Sequence, residues 1–179
     1  MNRNIWLTAT YIKSKDNELA DAQSRLHITD LHWQLNINFF HTITLQFGQP
    51  SIDLFASRTN TQLRRYVSYT YEREAQNTDA FTICWTLEFP YIFPPFAMIA
   101  RVLRKVEADK CPKAIIVTPK WPSQPWYPDL LRMSIRNPIS FGPSKQLLSS
   151  AFTKNPHPLY RSLQLQATLI SGLNSRNSH

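Results

Sequence analysis

Apolar residues recur at helical spacing along residues 36–47, where Phe39, Phe40, Ile43 and Phe47 fall on one side and Gly48 follows as a natural stop, so this segment is predicted as a helix. Residues 51–56 read as a short strand with Asp53 near its end, and residues 57–80 are polar with poor periodicity, predicting a long loop with at most a short helical turn. Residues 82–85 and 91–93 read as short buried strands hemmed by prolines. The strongest helix spans residues 97–108, with Ile99, Val102, Leu103 and Val106 as its apolar stripe and Arg101, Arg104, Lys105 and Glu107 on its outer face. Residues 113–118 then form a nearly all-apolar strand of the kind buried in a parallel sheet, so strand, helix and strand make a right-handed βαβ unit. Further helices are predicted over 126–134 and 159–172, and disorder from residue 174.

Composition narrows the chemistry. With 13 prolines and only 3 glycines in 179 residues, helices must be short, and Gly48, Gly142 and Gly172 are too far apart for a glycine-rich phosphate cradle. Cys84 and Cys111 show no metal-ligand spacing and make no disulfide framework, which points to an intracellular setting, cytoplasm or nucleus. The longest apolar run, around residues 89–100, contains three prolines and is shorter than a spanning helix of about 20 residues. A net charge of +8 favours polyanionic partners. Arg58, Arg64 and Arg65 form one basic group, followed by Tyr66, Tyr69 and Tyr71, and Arg101, Arg104 and Lys105 form a second; phosphate contact plus base stacking is one reading, a solvated basic face the other.

Two resemblances organise these pieces. Asn17, Ala20, Asp21, Ser24 and Arg25 are spaced as at the end of the ribonuclease H domain of long retroelement polyproteins, with Tyr11 where that family has His and Lys13-Ser14 where it has Pro-Gly. The resemblance implies that Asp21 is one of four carboxylates holding two Mg2+ ions in the intact domain, the other three lying upstream of Met1. Read from the residues alone, 16–25 is a surface helix capped by Asp16.

The stretch from Trp33 to Trp126 resembles the phage-type adenine-N6 DNA methyltransferases. It does so through Phe47-Gly48, Ile52-Asp53-Leu54, Ala56-Ser57-Arg58-Thr59-Asn60, Phe93-Pro94-Pro95-Phe96 and the strand at 115–119 leading to Trp121 and Trp126. A ribonuclease H tail followed by such a domain is the order in DIRS-type retrotransposon polyproteins. The resemblance implies an α/β fold, a reduced Rossmann-like methyltransferase sheet with flanking helices, preceded by a ribonuclease H C-terminal remnant. Its domains would be residues 1–30, 31–172 and a disordered 173–179.

In that family the first motif position accepts a hydrogen bond from the adenine amino group, the next proline supplies a carbonyl, and the closing aromatic stacks on the flipped base. Here those positions are Phe93, Pro94, Pro95 and Phe96, and Phe93 accepts nothing. Asp53 would be the contact to S-adenosylmethionine, or else a strand-end cap; Phe93 and Phe96 are otherwise core aromatics. The expected function is a noncatalytic fragment of the polyprotein that contacts DNA or an RNA–DNA hybrid through Arg58, Arg64, Arg65, Tyr66, Arg101 and Arg104, with no cofactor of its own and the rest of the polyprotein as partner. An active methyltransferase using S-adenosylmethionine and a structural spacer are the alternatives.

Overall fold

The computed structural model describes residues 32–173. Strand β1 (Trp33–Leu35) leads to helix α1 (Ile37–Phe47), then β2 (Ile52–Ala56), β3 (Tyr66–Ser68), β4 (Asn77–Thr78) and β5 (Pro90–Ile92). Helix α2 (Ile99–Ala108), β6 (Ala114–Pro119), α3 (Tyr127–Met133), β7 (Ile139–Phe141), β8 (Leu148–Ser150) and β9 (Leu165–Ile170) complete the order. Seven strands form one sheet in the order β4-β3-β2-β5-β6-β9-β7, while β1 and β8 pair apart from it as an antiparallel ribbon. Strands β4 to β6 are parallel, and β9 runs antiparallel to both of its neighbours. Among the described residues, no helix is long and apolar enough to cross a membrane.

Local chemistry explains the helices. The Asn36 side chain accepts from the Asn38 N–H at 3.0 Å and caps α1, which buries Phe40, Ile43 and Phe47. Gly48 ends it at φ 98°, a left-handed position suited to glycine. In α2 the expected stripe of Ile99, Val102, Leu103 and Val106 is buried, and a 3-10 turn at Phe96–Met98 leads into it after the Pro94-Pro95 corner. Tyr91 pairs with Ile115 in parallel register, so β5, α2 and β6 form the expected strand–helix–strand unit.

Side chains alternate faces along each strand. Asp53 and Tyr91 share the face covered by α1, since Phe40 meets Tyr91 edge-on at 5.0 Å. The opposite face carries Thr118, Gln166 and Thr168, with Tyr127 of α3 reaching Gln166 at 3.2 Å.

Three expectations are corrected. Residues 57–80 are not one loop: they hold β3 and β4, whose shortness left no period to read. Residues 82–85 do not form a strand; a 3-10 turn at Ala80–Thr82, capped by Asp79, precedes the fully buried Trp85, whose indole N–H donates to the Ala80 carbonyl at 2.9 Å. The terminal helix is instead β9, six consecutive buried residues enclosed by a strand on each side and therefore without the half-polar alternation of a one-faced strand. The ribonuclease H-like segment with Asp21, and the tail from 174, lie outside the described residues.

Candidate functional site

The sheet order reverses between β2 and β5: successive strands run outward to β4 on one side and to β6 on the other. Crevices at the carboxyl ends of strands beside such a point are the usual ligand position in open α/β sheets. Two small cavities among the described residues lie at these ends.

The first adjoins the Phe93-Pro94-Pro95-Phe96 loop that leaves β5. Pro94 and Pro95 are buried and the two phenylalanines half-buried, their rings 6.5 Å apart. Phe96 meets Trp121, from the loop after β6, edge-on at 5.3 Å. Across this corner lies the β1–β8 ribbon, which brings Trp33 and Leu148 onto the loop together with His157. What remains is a space of about 20 Å³. A water needs at least roughly 10–15 Å³, so the cleft accommodates about one water and no base.

Among the described residues, His157 is the only titratable group lining that cleft. Its Nδ1 accepts from the Leu159 N–H at 3.1 Å, and burial pushes its pKa down to about 4. The ring is therefore neutral at pH 7 with its proton on Nε2, a donor. It does not replace the acceptor that Phe93 lacks.

Asp53 stands second in β2 rather than near its end as expected, is 2% exposed and lines neither cavity. Its Oδ2 accepts from the Gln62 N–H at 3.0 Å, and desolvation raises its pKa from 3.8 to about 7. Asn60, the end of the Ala56–Asn60 motif, accepts from the Ser57 N–H at 2.6 Å and closes the turn leaving β2. That part of the resemblance has a structural role here.

The basic residues do not converge. Arg65 binds Glu88 at 2.7 Å and also reaches the Ser51 carbonyl, so it lies at the amino-terminal rim of the parallel strands. Arg58 follows the carboxyl end of β2, at the opposite rim, and Arg64 precedes Arg65. The Arg101 guanidinium lies 3.8 Å over the Phe81 ring, and Arg104 is exposed on α2. Tyr66 is corrected as a stacking residue: it is 4% exposed and its hydroxyl donates to Glu72 at 2.8 Å, an arrangement that pushes its pKa up to about 12, mainly through desolvation. The exposed tyrosines are Tyr69 and Tyr71.

The second cavity, about 130 Å³ at the ends of β2 and β3, was not anticipated. It is lined by His32, the 54–57 segment, Ser68, Tyr69, Thr70, Glu72 and Ala80. Reading 57–80 as loop concealed it, because β3 and β4 are too short to show a period in the sequence. No protein-family model matches the chain, and no curated protein matches it.

Proposed function

We propose that residues 31–172 are a methyltransferase-like module of a DIRS-type retrotransposon polyprotein that has no methyltransferase activity and contacts nucleic acid. Three features support the methyltransferase-like reading. The order β4-β3-β2-β5-β6 is the doubly wound order about a central switch point. An antiparallel β9 inserted between β6 and β7 is the departure from that order that methyltransferase sheets carry. The Phe93-Pro94-Pro95-Phe96 loop leaves β5, beside the switch point, where the catalytic loop of that family belongs.

The observation that carries the loss of activity is the closed loop cleft: about 20 Å³ of space, a phenylalanine at the acceptor position, and a histidine that only donates. Adenine has nowhere to enter, and an oriented acceptor at the reacting nitrogen is worth several kcal/mol in the transition state. The residues present do not fit S-adenosylmethionine either. No glycine-rich turn follows β2, Asp53 is sealed inside the strand, and about 130 Å³ is below the roughly 300–1,000 Å³ of typical ligand pockets.

Nucleic-acid contact rests on the +8 charge and on exposed arginines and tyrosines near the carboxyl-end rim. A structural spacer is the second reading, favoured by the placement of Arg58 and Arg65 at opposite rims. Titration of fluorescent single-stranded oligonucleotides at low salt separates the two. Binding that weakens steeply with salt is expected, and no binding to any oligonucleotide leaves the spacer.

A further inference from the structure

The cavity at the ends of β2 and β3 has no role in a closed methyltransferase cleft, yet it is built as a receptor for a flat ring. Its inner wall is apolar, formed by the end of β2 and Ala80, while Ser57, Thr70 and Glu72 add polar groups. A cavity of about 150 Å³ holds benzene, so a volume of about 130 Å³ matches one six-membered ring and not a fused pair.

The mouth is aromatic. Tyr69 lines it at 48% exposure, and His32, on the lining too, meets Phe152, which is 65% exposed, with ring centroids 4.5 Å apart and planes tilted by 56°. Exposed rings gathered at one opening provide stacking faces. A neighbouring cleft of about 250 Å³ is lined by Arg58 and Arg73 together with Tyr66, Glu72 and Glu74, and neither arginine forms an ion pair among the described residues. The Glu72 Oε2 is already engaged, accepting from the Arg58 N–H and the Tyr66 hydroxyl at 2.8 Å each.

We propose that this cavity takes one pyrimidine base of a single-stranded nucleic acid, stacked between Tyr69 and the His32–Phe152 pair, with adjoining phosphates on Arg58 and Arg73. The inference rests on the nucleic-acid reading above and moves the contact away from the closed loop after β5. A duplex does not present an unstacked base to such a hole; a single strand does. The ring-sized volume sets the preference for pyrimidine.

The test is fluorescence anisotropy of the full chain with labelled decathymidylate, decaadenylate and a decamer of abasic sites, which keeps the phosphates and omits the bases. Decathymidylate is expected to bind about tenfold more tightly than the abasic strand. Tyr69→Ala should remove that advantage and leave abasic binding unchanged, with Tyr69→Phe restoring it; Tyr69 is exposed, so the fold is not at stake. Equal binding of the abasic and thymidylate strands overturns base insertion while leaving phosphate contact intact. Equal binding of the adenylate strand overturns the pyrimidine assignment. Thymidine monophosphate competing as well as the decamer, base for base, makes this a free-nucleotide site and overturns the single-strand assignment. Absence of binding to all three strands overturns the nucleic-acid reading and this inference with it.

Discussion

Asp53 and Tyr91 stand side by side in register on the parallel strands β2 and β5, both inside the protein, and the Asp53 Oδ1 and the Tyr91 hydroxyl have no hydrogen-bond partner among the described residues. A buried carboxylate without full pairing is expensive, and the cost falls on its charged form. Burial, and then the nearby Asp53 charge, also raise the Tyr91 pKa well above its ordinary value. Burial therefore keeps the Tyr91 hydroxyl neutral and Asp53 largely protonated below pH 7, at a point in the sheet where the sequence offered a ligand-binding carboxylate or a strand-end cap.

The pH dependence of stability follows from Asp53 and His157, which act in opposite directions. Asp53 titrates near 7 when folded against 3.8 otherwise, so the native state holds the extra proton and the stability Asp53 contributes is lost as pH rises from about 4 through 7. His157 titrates near 4 when folded against 6.5 otherwise, so its contribution is present above 6.5 and lost as pH falls towards 4. Each limb has a slope of at most about 1.4 kcal/mol per pH unit, and the two largely cancel in the native chain. Urea unfolding of Asp53→Asn across pH 4–7 should uncover rising stability, and His157→Gln should uncover falling stability. Parallel curves for all three proteins would refute the assignment.

Two tyrosine-to-phenylalanine changes should separate a satisfied hydroxyl from an orphaned one. Tyr66→Phe removes a bond to the Glu72 carboxylate and should cost about 1–2 kcal/mol. Tyr91→Phe removes a buried hydroxyl with no partner and should be neutral or stabilising. Chemical denaturation measures both, and a larger loss for Tyr91→Phe would point to a bond at Asp53 that the structure does not contain.

Glycine is required at one of two positions compared. A Cβ on Gly172 would lie 2.1 Å from the Val106 carbonyl oxygen at the end of α2, and that neighbour is backbone. Gly172→Ala should therefore destabilise by about 1–3 kcal/mol or more. Gly142, with nothing within 4 Å of such a Cβ, should accept alanine within about 0.5 kcal/mol. Thermal melts of the two variants check the contrast.

Salt dependence distinguishes the two arginine sets. Arg58→Ala with Arg73→Ala removes two unpaired cations beside the carboxyl-end clefts, and should flatten the log-log salt slope by about 0.7 per lost phosphate contact. Arg65 is held by Glu88, so Arg65→Ala should leave the slope nearly unchanged and cost at most about 1 kcal/mol of stability. Oligonucleotide titrations from low to moderate salt decide it; a slope moved by Arg65 alone would place the contact at the other rim.

How much was visible beforehand depended on length and periodicity. Helices α1, α2 and α3 and strands β2, β5 and β6 emerged because their apolar repeats or runs sit between Gly and Pro stops. Strands β3 and β4, of three and two residues, carry no period, and β9 is buried on both faces, so it lacks the alternation that would have set it apart from the helix expected over 159–172. At the site, the Phe93-Pro94-Pro95-Phe96 corner was evident from sequence, but its closure was not. Trp33, Leu148 and His157 come from segments far apart in the chain and meet only through the β1–β8 ribbon and the residues after it. Tyr66 and Tyr69 differ by three positions, yet one is core and the other surface, a distinction that needs β3 to be placed first.

The corner after β5 leaves about 20 Å³ and presents Phe93 where a hydrogen-bond acceptor would be needed, so the proposed loss of methyl transfer can be tested directly. The most direct measurement is transfer of radiolabelled methyl from S-adenosylmethionine to adenine in single-stranded and duplex DNA by the purified chain, beside Phe96→Ala. Label no higher for the native chain than for the variant is expected. Incorporation into adenine that disappears in Phe96→Ala would contradict the proposed loss.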